Sequence, residues 1–219
     1  MSKDPYGLFD PRRPTSILLM RHPQSKGNRS KRYMGQQNAY LSKLGWQQCV
    51  RAIDGLVNWQ PTAVVTSPLS RCLAVAMPTA AYLGLELEVD DRLMEMNFGV
   101  LEGCTHQEAL DRGLAFPWDP SSGTWPVSGA ESIEDFTERL QAVAADLTAR
   151  RGRIAVITHG GVLRMLTSFW LHMPSEYSWA MTIRNVESAC FSLDKAGTVY
   201  LDAFGLQPEW LSGPPAKNV

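Results

Sequence analysis

Three short apolar runs constrain this chain more than any other feature: Ile17–Met20, Ala63–Thr66 and Ile154–Thr158. A strand with one face in water alternates apolar and polar residues. A strand covered on both faces reads as a continuous apolar run, usually rich in isoleucine and valine. The runs therefore predict a sheet with helices packed on both sides. Leu85–Val89 is a weaker strand candidate. Ala189–Leu193 and Thr198–Phe204, separated by Asp194-Lys195-Ala196-Gly197, predict a hairpin at a sheet edge.

Helical signals fall between these strands. Ser42 precedes Trp46, Val50, Ile53 and Val57, which share a face at helical period. Ser67-Pro68 reads as an N-cap with proline at the first helical position, opening a helix over Leu69–Leu83. Ser132 with Asp135 makes a capping-box-like start, followed by Ile133, Phe136, Leu140, Val143 and Leu147 in steps of three and four until Gly152. A fourth helix is expected after Gly160-Gly161. Strand–helix alternation of this kind predicts the α/β class, with a central, mainly parallel sheet and helices on both faces.

At 219 residues the chain can bury a sizeable core. We expect an irregular arm over residues 1–14, one domain over 15–207 and a loose tail over 208–219, where Pro214-Pro215 stands. The formal net charge of −1 argues against nucleic acid or a membrane surface as partner, since both favour a basic excess. No apolar run approaches the ~20 residues of a membrane helix, and the first residues have no apolar signal core. Cys49, Cys72, Cys104 and Cys190 form no C-x-x-C pair and read as reduced thiols, which predicts a cytoplasmic location. His22, His106, His159 and His172 form no H-x-H or H-x-x-x-H, so no metal is expected. The oligomeric state is left open, a homodimer included.

The polar residues at the strand ends carry the functional signal. Ligands of parallel sheets bind where strands end and helices begin. The first run ends on Arg21-His22, the second leads through Ser67-Pro68-Leu69-Ser70 to Arg71, and the third ends on His159-Gly160-Gly161. Two guanidiniums, two imidazoles and several helix N-termini at one sheet edge make a pocket for a phosphate. Taken singly, each arginine is an ordinary ion-pair partner and His159 an ordinary buried histidine; the combination points to chemistry. One imidazole can attack phosphorus and form a labile phosphoramidate. A carboxyl must then protonate the leaving oxygen, and "RLMEMNFGVLEG" offers Glu95 and Glu102.

With these residues in place, the chain resembles the histidine phosphatase superfamily, which includes phosphoglycerate mutases and many small phosphatases. The resemblance runs from about Ser16 to Leu193 and rests on segments in the family's order: Arg21-His22 with Asn28, "LSKLGWQQC", "SPLSRC", "LMEMNFGVLEG" and "THGGVLR". It implies a phosphoglycerate mutase-like three-layer sandwich and a metal-independent, cofactor-free phosphomonoesterase acting on a small phosphorylated metabolite. It further implies His22 as nucleophile and Arg21, Arg71 and His159 as holders of the phosphate oxygens. Asn28, Ser25 and Gly160 are implied as phosphate contacts, Glu95 as general acid and base, and Glu102 and Gly103 as structural.

The stretch between Glu95 and His159 is shorter than phosphoglycerate mutases typically carry, which favours a phosphatase over a mutase. A phosphate-binding regulatory protein without turnover is the third reading. The loop over residues 114–130, with Phe116, Trp118 and Trp125, is expected to cover the substrate or to anchor the core. "ESIEDFTERL" and "MPSEYSW" are similar to segments of small-metabolite phosphatases such as the α-ribazole phosphatases. Pro23 departs from the family's common Arg-His-Gly. It has no N–H and a fixed φ, so it asks whether the pocket uses the N–H at that position. Our expectation is that it does not. Gln24, where many relatives carry glutamate, precedes Lys26-Gly27 and is expected to add positive character to the entrance.

Overall fold

A computed structural model describes residues 12–211. Six strands, β1 (Thr15–Arg21), β2 (Ala63–Thr66), β3 (Leu87–Val89), β4 (Gly152–Thr158), β5 (Ser188–Leu193) and β6 (Val199–Leu206), form one sheet. Their order is β3-β2-β4-β1-β5-β6. β1 to β4 run parallel, while β5 pairs antiparallel with both β1 and β6. The edge hairpin is therefore present, and the sheet is mixed with a parallel centre. The helices are α1 (Lys26–Arg29), α2 (Lys43–Trp59), α3 (Ser70–Leu83), α4 (His106–Asp111), α5 (Ile133–Ala149) and α6 (Gly160–Trp170).

The pleat of the central strands sorts two cores. Ile17, Leu19, Ile154 and Val156 face Phe136, Leu140, Leu163 and Leu166 of α5 and α6. Leu18, Met20, Ala155 and Ile157 face Leu56 and Trp59 of α2 and Cys72 and Val75 of α3. Every one of these residues is buried. Covering a strand on both faces is what removes polar alternation from its sequence.

Three local expectations need correction. On α2 the inward face is Gly45, Cys49, Ala52, Leu56 and Trp59, whereas Trp46 and Val50 are 60% and 59% exposed. Small residues decide this face: Gly45 lies so close to the Gln24 carbonyl that a Cβ would overlap it. Ser67 does not cap α3, whose N-cap is Leu69 and makes no side-chain cap bond. Within α3, Pro78 cannot donate to the Ala74 carbonyl, and the Cys49 thiol donates to that oxygen instead, at 3.1 Å. Finally, the segment expected as a loose tail begins as packed structure. Pro208–Trp210 forms a 3₁₀ turn, with Pro208 and Leu211 buried and the Pro208 carbonyl against Gly55 of α2. Residues 1–11 and 212–219, with the expected arm and Pro214-Pro215, lie outside the described residues.

Candidate active site

The parallel registers place the three strand ends side by side, with Arg21 paired to Thr158 and Thr66 to Ile157. Beyond β1, the His22 N–H donates to the Thr158 carbonyl at 2.9 Å. A cavity of about 120 Å³ opens there, lined by Arg21, His22, Asn28, Arg71, Glu95 and neighbouring loop residues.

The ring of His22 is oriented by backbone. Its Nδ1 lies 2.7 Å from the Pro23 carbonyl oxygen, which can only accept, so Nδ1 carries the proton. Nε2 is left with its lone pair, in a residue that lines the cavity. What position 23 gives the site is thus a carbonyl, which proline supplies as well as glycine does. Gln24 does not act at the entrance: its N–H donates to Gln48, and its side-chain oxygen accepts from Ser42, tying the loop to α2.

His159 is fully buried, 5.1 Å from His22 between ring centroids. Its Nδ1 accepts from Arg71 Nε at 3.3 Å, and Nε2 therefore donates to Ser67 Oγ at 2.8 Å. Both ring nitrogens are thus engaged, one by Arg71 and the other by Ser67. Arg71 itself is 2% exposed and donates to the carbonyls of Gln37 and Gly35 at 2.8 and 2.7 Å. Cys72 touches His159, but burial pushes its thiol up to about 12, so no thiolate competes for electrophiles.

Burial first, then the positive charges of Arg71 and Arg21, hold the His22 imidazole well below its ordinary value. His159 is depressed by burial and by Arg71, His22 and Arg21. A lowered folded pKa means that the unfolded chain binds a proton the native one refuses. Stability is complete above about pH 6.5 and falls as pH drops below it, by about 1.4 kcal/mol per pH unit for each histidine. Urea unfolding at pH 7 and at pH 5.5 measures this. A flat dependence would mean that the imidazoles titrate normally in the fold.

Arg21 donates to the Ile183 carbonyl at 2.7 Å, while its Nε is buried without a partner. Burial brings its pKa to about 10, so it stays cationic at neutral pH. Gly160, the first residue of α6, lies under this guanidinium, at ordinary contact distance for an added Cβ. Asn28 is held by a reciprocal capping box with Ser25, and its Oδ1 also accepts from Asn185 at 3.3 Å. Ser25 is buried, and its hydroxyl oxygen accepts from the Asn28 N–H at 3.1 Å, which holds Asn28 in place.

The two carboxylates separate clearly. Glu95 lines the cavity and accepts from the N–H groups of Met96 and Gly161, at 3.1 Å each. Glu102 is turned away, accepting from Gln36 N at 2.8 Å and Phe98 N at 3.1 Å. Gly35, at φ +47°, leaves the room that the Glu102 carboxylate fills. The loop bearing Glu95 is braced by Arg139, which donates to the carbonyls of Arg92, Met94 and Glu95 while paired with Glu131. A Cβ at Gly161 would stand 2.3 Å from Glu95 Oε1. Gly161→Ala is therefore expected to displace the carboxylate and lower kcat by roughly 10²-fold, measured on an alkyl phosphomonoester. An unchanged kcat would show that Glu95 tolerates the shift.

A larger chamber of about 460 Å³ adjoins the cavity, sharing Arg21, Tyr33, Glu95 and Phe98 with it and adding Trp118, Trp179 and Arg164. The 114–130 loop divides its aromatics: Phe116 is buried and stacks on Trp118, Trp125 donates to the Glu131 carbonyl, and Trp118 alone of the three lines the chamber. His106, which had no assigned role, stacks on Phe116 and bonds Tyr33 Oη through Nδ1 at 3.0 Å. Arg139, Asn185, Tyr33 and Trp179 were not read as site residues. Trp179 lies in the quoted "MPSEYSW", but the contacts of all four are non-local. Among the described residues no group of three or more His, Cys, Asp or Glu side chains is arranged to hold a metal, and no helix is long and apolar enough to cross a membrane.

A parallel-centred α/β sandwich with histidine and arginine at the carboxyl ends of adjacent strands defines a phosphate-handling class of protein. The chain belongs to the histidine phosphatase superfamily, branch 1, whose model matches residues 17–203. It is 32% identical over 204 residues to the bifunctional protein Rv2228c of Mycobacterium tuberculosis, covering 86% of this chain and 53% of that protein. The chain thus spans about half the length of these first curated relatives. A glucosyl-3-phosphoglycerate phosphatase of M. tuberculosis is 31% identical over 170 residues, 72% of this chain and 76% of that protein. The solved structure of mycobacterial glucosyl-3-phosphoglycerate phosphatase Rv2419c, a complex with VO3, superposes with a TM-score of 0.76 at 26% identity, covering 88% of this chain and 99% of that one. The α-ribazole phosphatase of Shigella flexneri shares the fold, with a TM-score of 0.76 at 20% identity and coverage of 87% and 96%.

Proposed function

We propose that the protein is a phosphomonoesterase that hydrolyses a small phosphorylated metabolite through a phosphohistidine on His22. The observation that carries this reading is the tautomer: Nδ1 donates to the Pro23 carbonyl, so Nε2 of a neutral, buried ring is a nucleophile at neutral pH. Arg21 and Arg71 stabilise the charge on the transferring phosphoryl oxygens, and Asn28 adds a donor from the capping box. His159 positions Arg71, and Gly160, at the start of α6, lies in contact range of the Arg21 guanidinium. Glu95 donates a proton to the leaving oxygen, then takes one from the water that cleaves the phosphoramidate. The residues assigned here supply nucleophile, charge and proton without a metal or cofactor. The four cysteines are buried and form no disulfide, in keeping with a reducing, cytoplasmic setting for one domain over about residues 15–207.

Hydrolysis of p-nitrophenyl phosphate tests the reading. Turnover is expected to survive EDTA, to be inhibited by vanadate, and to pass through an acid-labile phosphoenzyme trapped by rapid quench. Isomerisation of 3-phosphoglycerate faster than its hydrolysis would make the protein a mutase instead. Tight phosphate binding without any turnover would make it a regulatory binder.

A further inference from the structure

We infer that Arg164 reads a carboxylate on the substrate, so that the larger chamber selects phosphorylated carboxylic acids; this rests on the phosphatase reading above. Arg164 stands on α6 three residues after Gly161, on the wall of the 460 Å³ chamber. Its Nε is buried and has no hydrogen-bond partner, a property it shares with Arg21 in the same chamber. Buried donors are nearly always paired in a folded protein, and an unpaired one is costly. Arg71 and Arg139 show how this fold ordinarily treats a guanidinium, with carbonyl or carboxylate acceptors provided by the chain itself. Two arginines with donors to spare in one concave site therefore point to acceptors brought by a ligand.

The charge balance narrows the ligand. Among the described residues that line the chamber, Glu95 is the one carboxylate, and both its oxygens already accept backbone N–H groups. A phosphoryl group in the smaller cavity meets Arg21 and Arg71. Arg164, which lines the larger chamber, has Glu95 as a charged neighbour there but no acceptor for its buried Nε, and a planar anion is the partner that matches this open donor. A second phosphoryl group would call for a further cation, which the described residues of the chamber's lining do not provide. The shared wall of Arg21, Tyr33, Glu95 and Phe98 makes the two cavities continuous, so one molecule can present a phosphoryl group to His22 and a carboxylate to Arg164. The rings of Phe98, Trp118 and Trp179 give the intervening body flat, weakly polar faces.

The test compares 3-phosphoglycerate with glycerol 3-phosphate, which differ in the carboxylate. By released phosphate, kcat/KM is expected to favour 3-phosphoglycerate by about 10- to 100-fold, the worth of one charge-assisted hydrogen-bonded pair. In Arg164→Gln the ratio should collapse toward one, and Arg164→Lys should restore part of it. The same pair is titrated by calorimetry against the His22→Ala chain with and without Arg164→Gln, so the comparison holds even without turnover. Equal affinities and equal rates for the two esters would overturn the assignment. So would equal losses on both esters in Arg164→Gln with a displaced pH profile, which would make Arg164 an electrostatic partner of Glu95. A stronger Arg164-dependent preference for fructose 1,6-bisphosphate over fructose 6-phosphate would replace the carboxylate by a second phosphate. Failure to hydrolyse even p-nitrophenyl phosphate would instead sink the phosphatase reading, leaving the calorimetry to decide this one.

Discussion

Replacing His22 by alanine is expected to lower p-nitrophenyl phosphate hydrolysis by at least about 10⁴-fold, as loss of a covalent nucleophile does in other hydrolases. No neighbouring group is placed to substitute. His159 has both ring nitrogens engaged, and the Cys72 thiol, raised to about 12, stays protonated. The variant should still fold, because the cores on either side of the sheet are built from residues other than His22. Far-ultraviolet circular dichroism and a thermal melt check this alongside the rate. The acid-labile phosphoenzyme should vanish together with turnover. Retention of more than about one part in a hundred of the activity in a folded variant would remove His22 from the chemistry.

Glu95→Gln should divide substrates by leaving group. Alkyl phosphomonoesters expel a strongly basic alkoxide and need the proton, so their hydrolysis is expected to fall by about 10²- to 10⁴-fold. p-Nitrophenolate leaves without one, so phosphorylation of His22 by that ester should suffer much less. Water attack on the phosphohistidine still needs a base, and the variant should release a burst of p-nitrophenol and then stall. Glutamine keeps the size of the side chain but turns an NH₂ toward one of the two backbone donors, Met96 N or Gly161 N. Pre-steady-state absorbance at the p-nitrophenol band reads the burst directly. Equal, small losses on both ester types would show that proton transfer is not what Glu95 supplies.

The central strands and the polar residues at their ends were legible because each signal is local: an unbroken apolar run, then histidine or arginine. Parallel register did the rest, bringing residues far apart in sequence to one sheet edge. The face of α2 was not legible, because its inward residues Gly45, Cys49 and Ala52 are small, while Trp46 and Val50 dominate any hydrophobic pattern from outside. Ser67 looked like a cap since serine before proline usually is one, but the helix starts two residues later than that signal says, and the Ser67 hydroxyl oxygen accepts from the N–H of the N-cap Leu69 and from His159. Ser25 and His159 stand at the pocket by type and position, whereas their bonds to Asn28 and Arg71 are set by three-dimensional packing. Arg139 and Asn185 serve the site chiefly through distant backbone carbonyls, and no spacing rule announces such a bond. Glu95 and Glu102 were indistinguishable as residue types and are separated by which loop each one faces.

The carbonyl of Pro23 orients the His22 ring, and a carbonyl belongs to the main chain. Triads that aim a histidine with an aspartate can be disarmed by altering that one acid. Here the aiming group is common to all twenty amino acids, so the device is immune to side-chain replacement at its own position. Position 23 can change identity while the imidazole keeps its tautomer, provided that the backbone path from β1 to α1 is preserved. The vulnerability moves to whatever fixes that path: Asn185 gripping the His22 carbonyl, and Gln48 and Ser42 gripping Gln24. Genetic drift in this protein is therefore expected to be free at the residue touching the His22 ring and restricted at the residues one layer behind it.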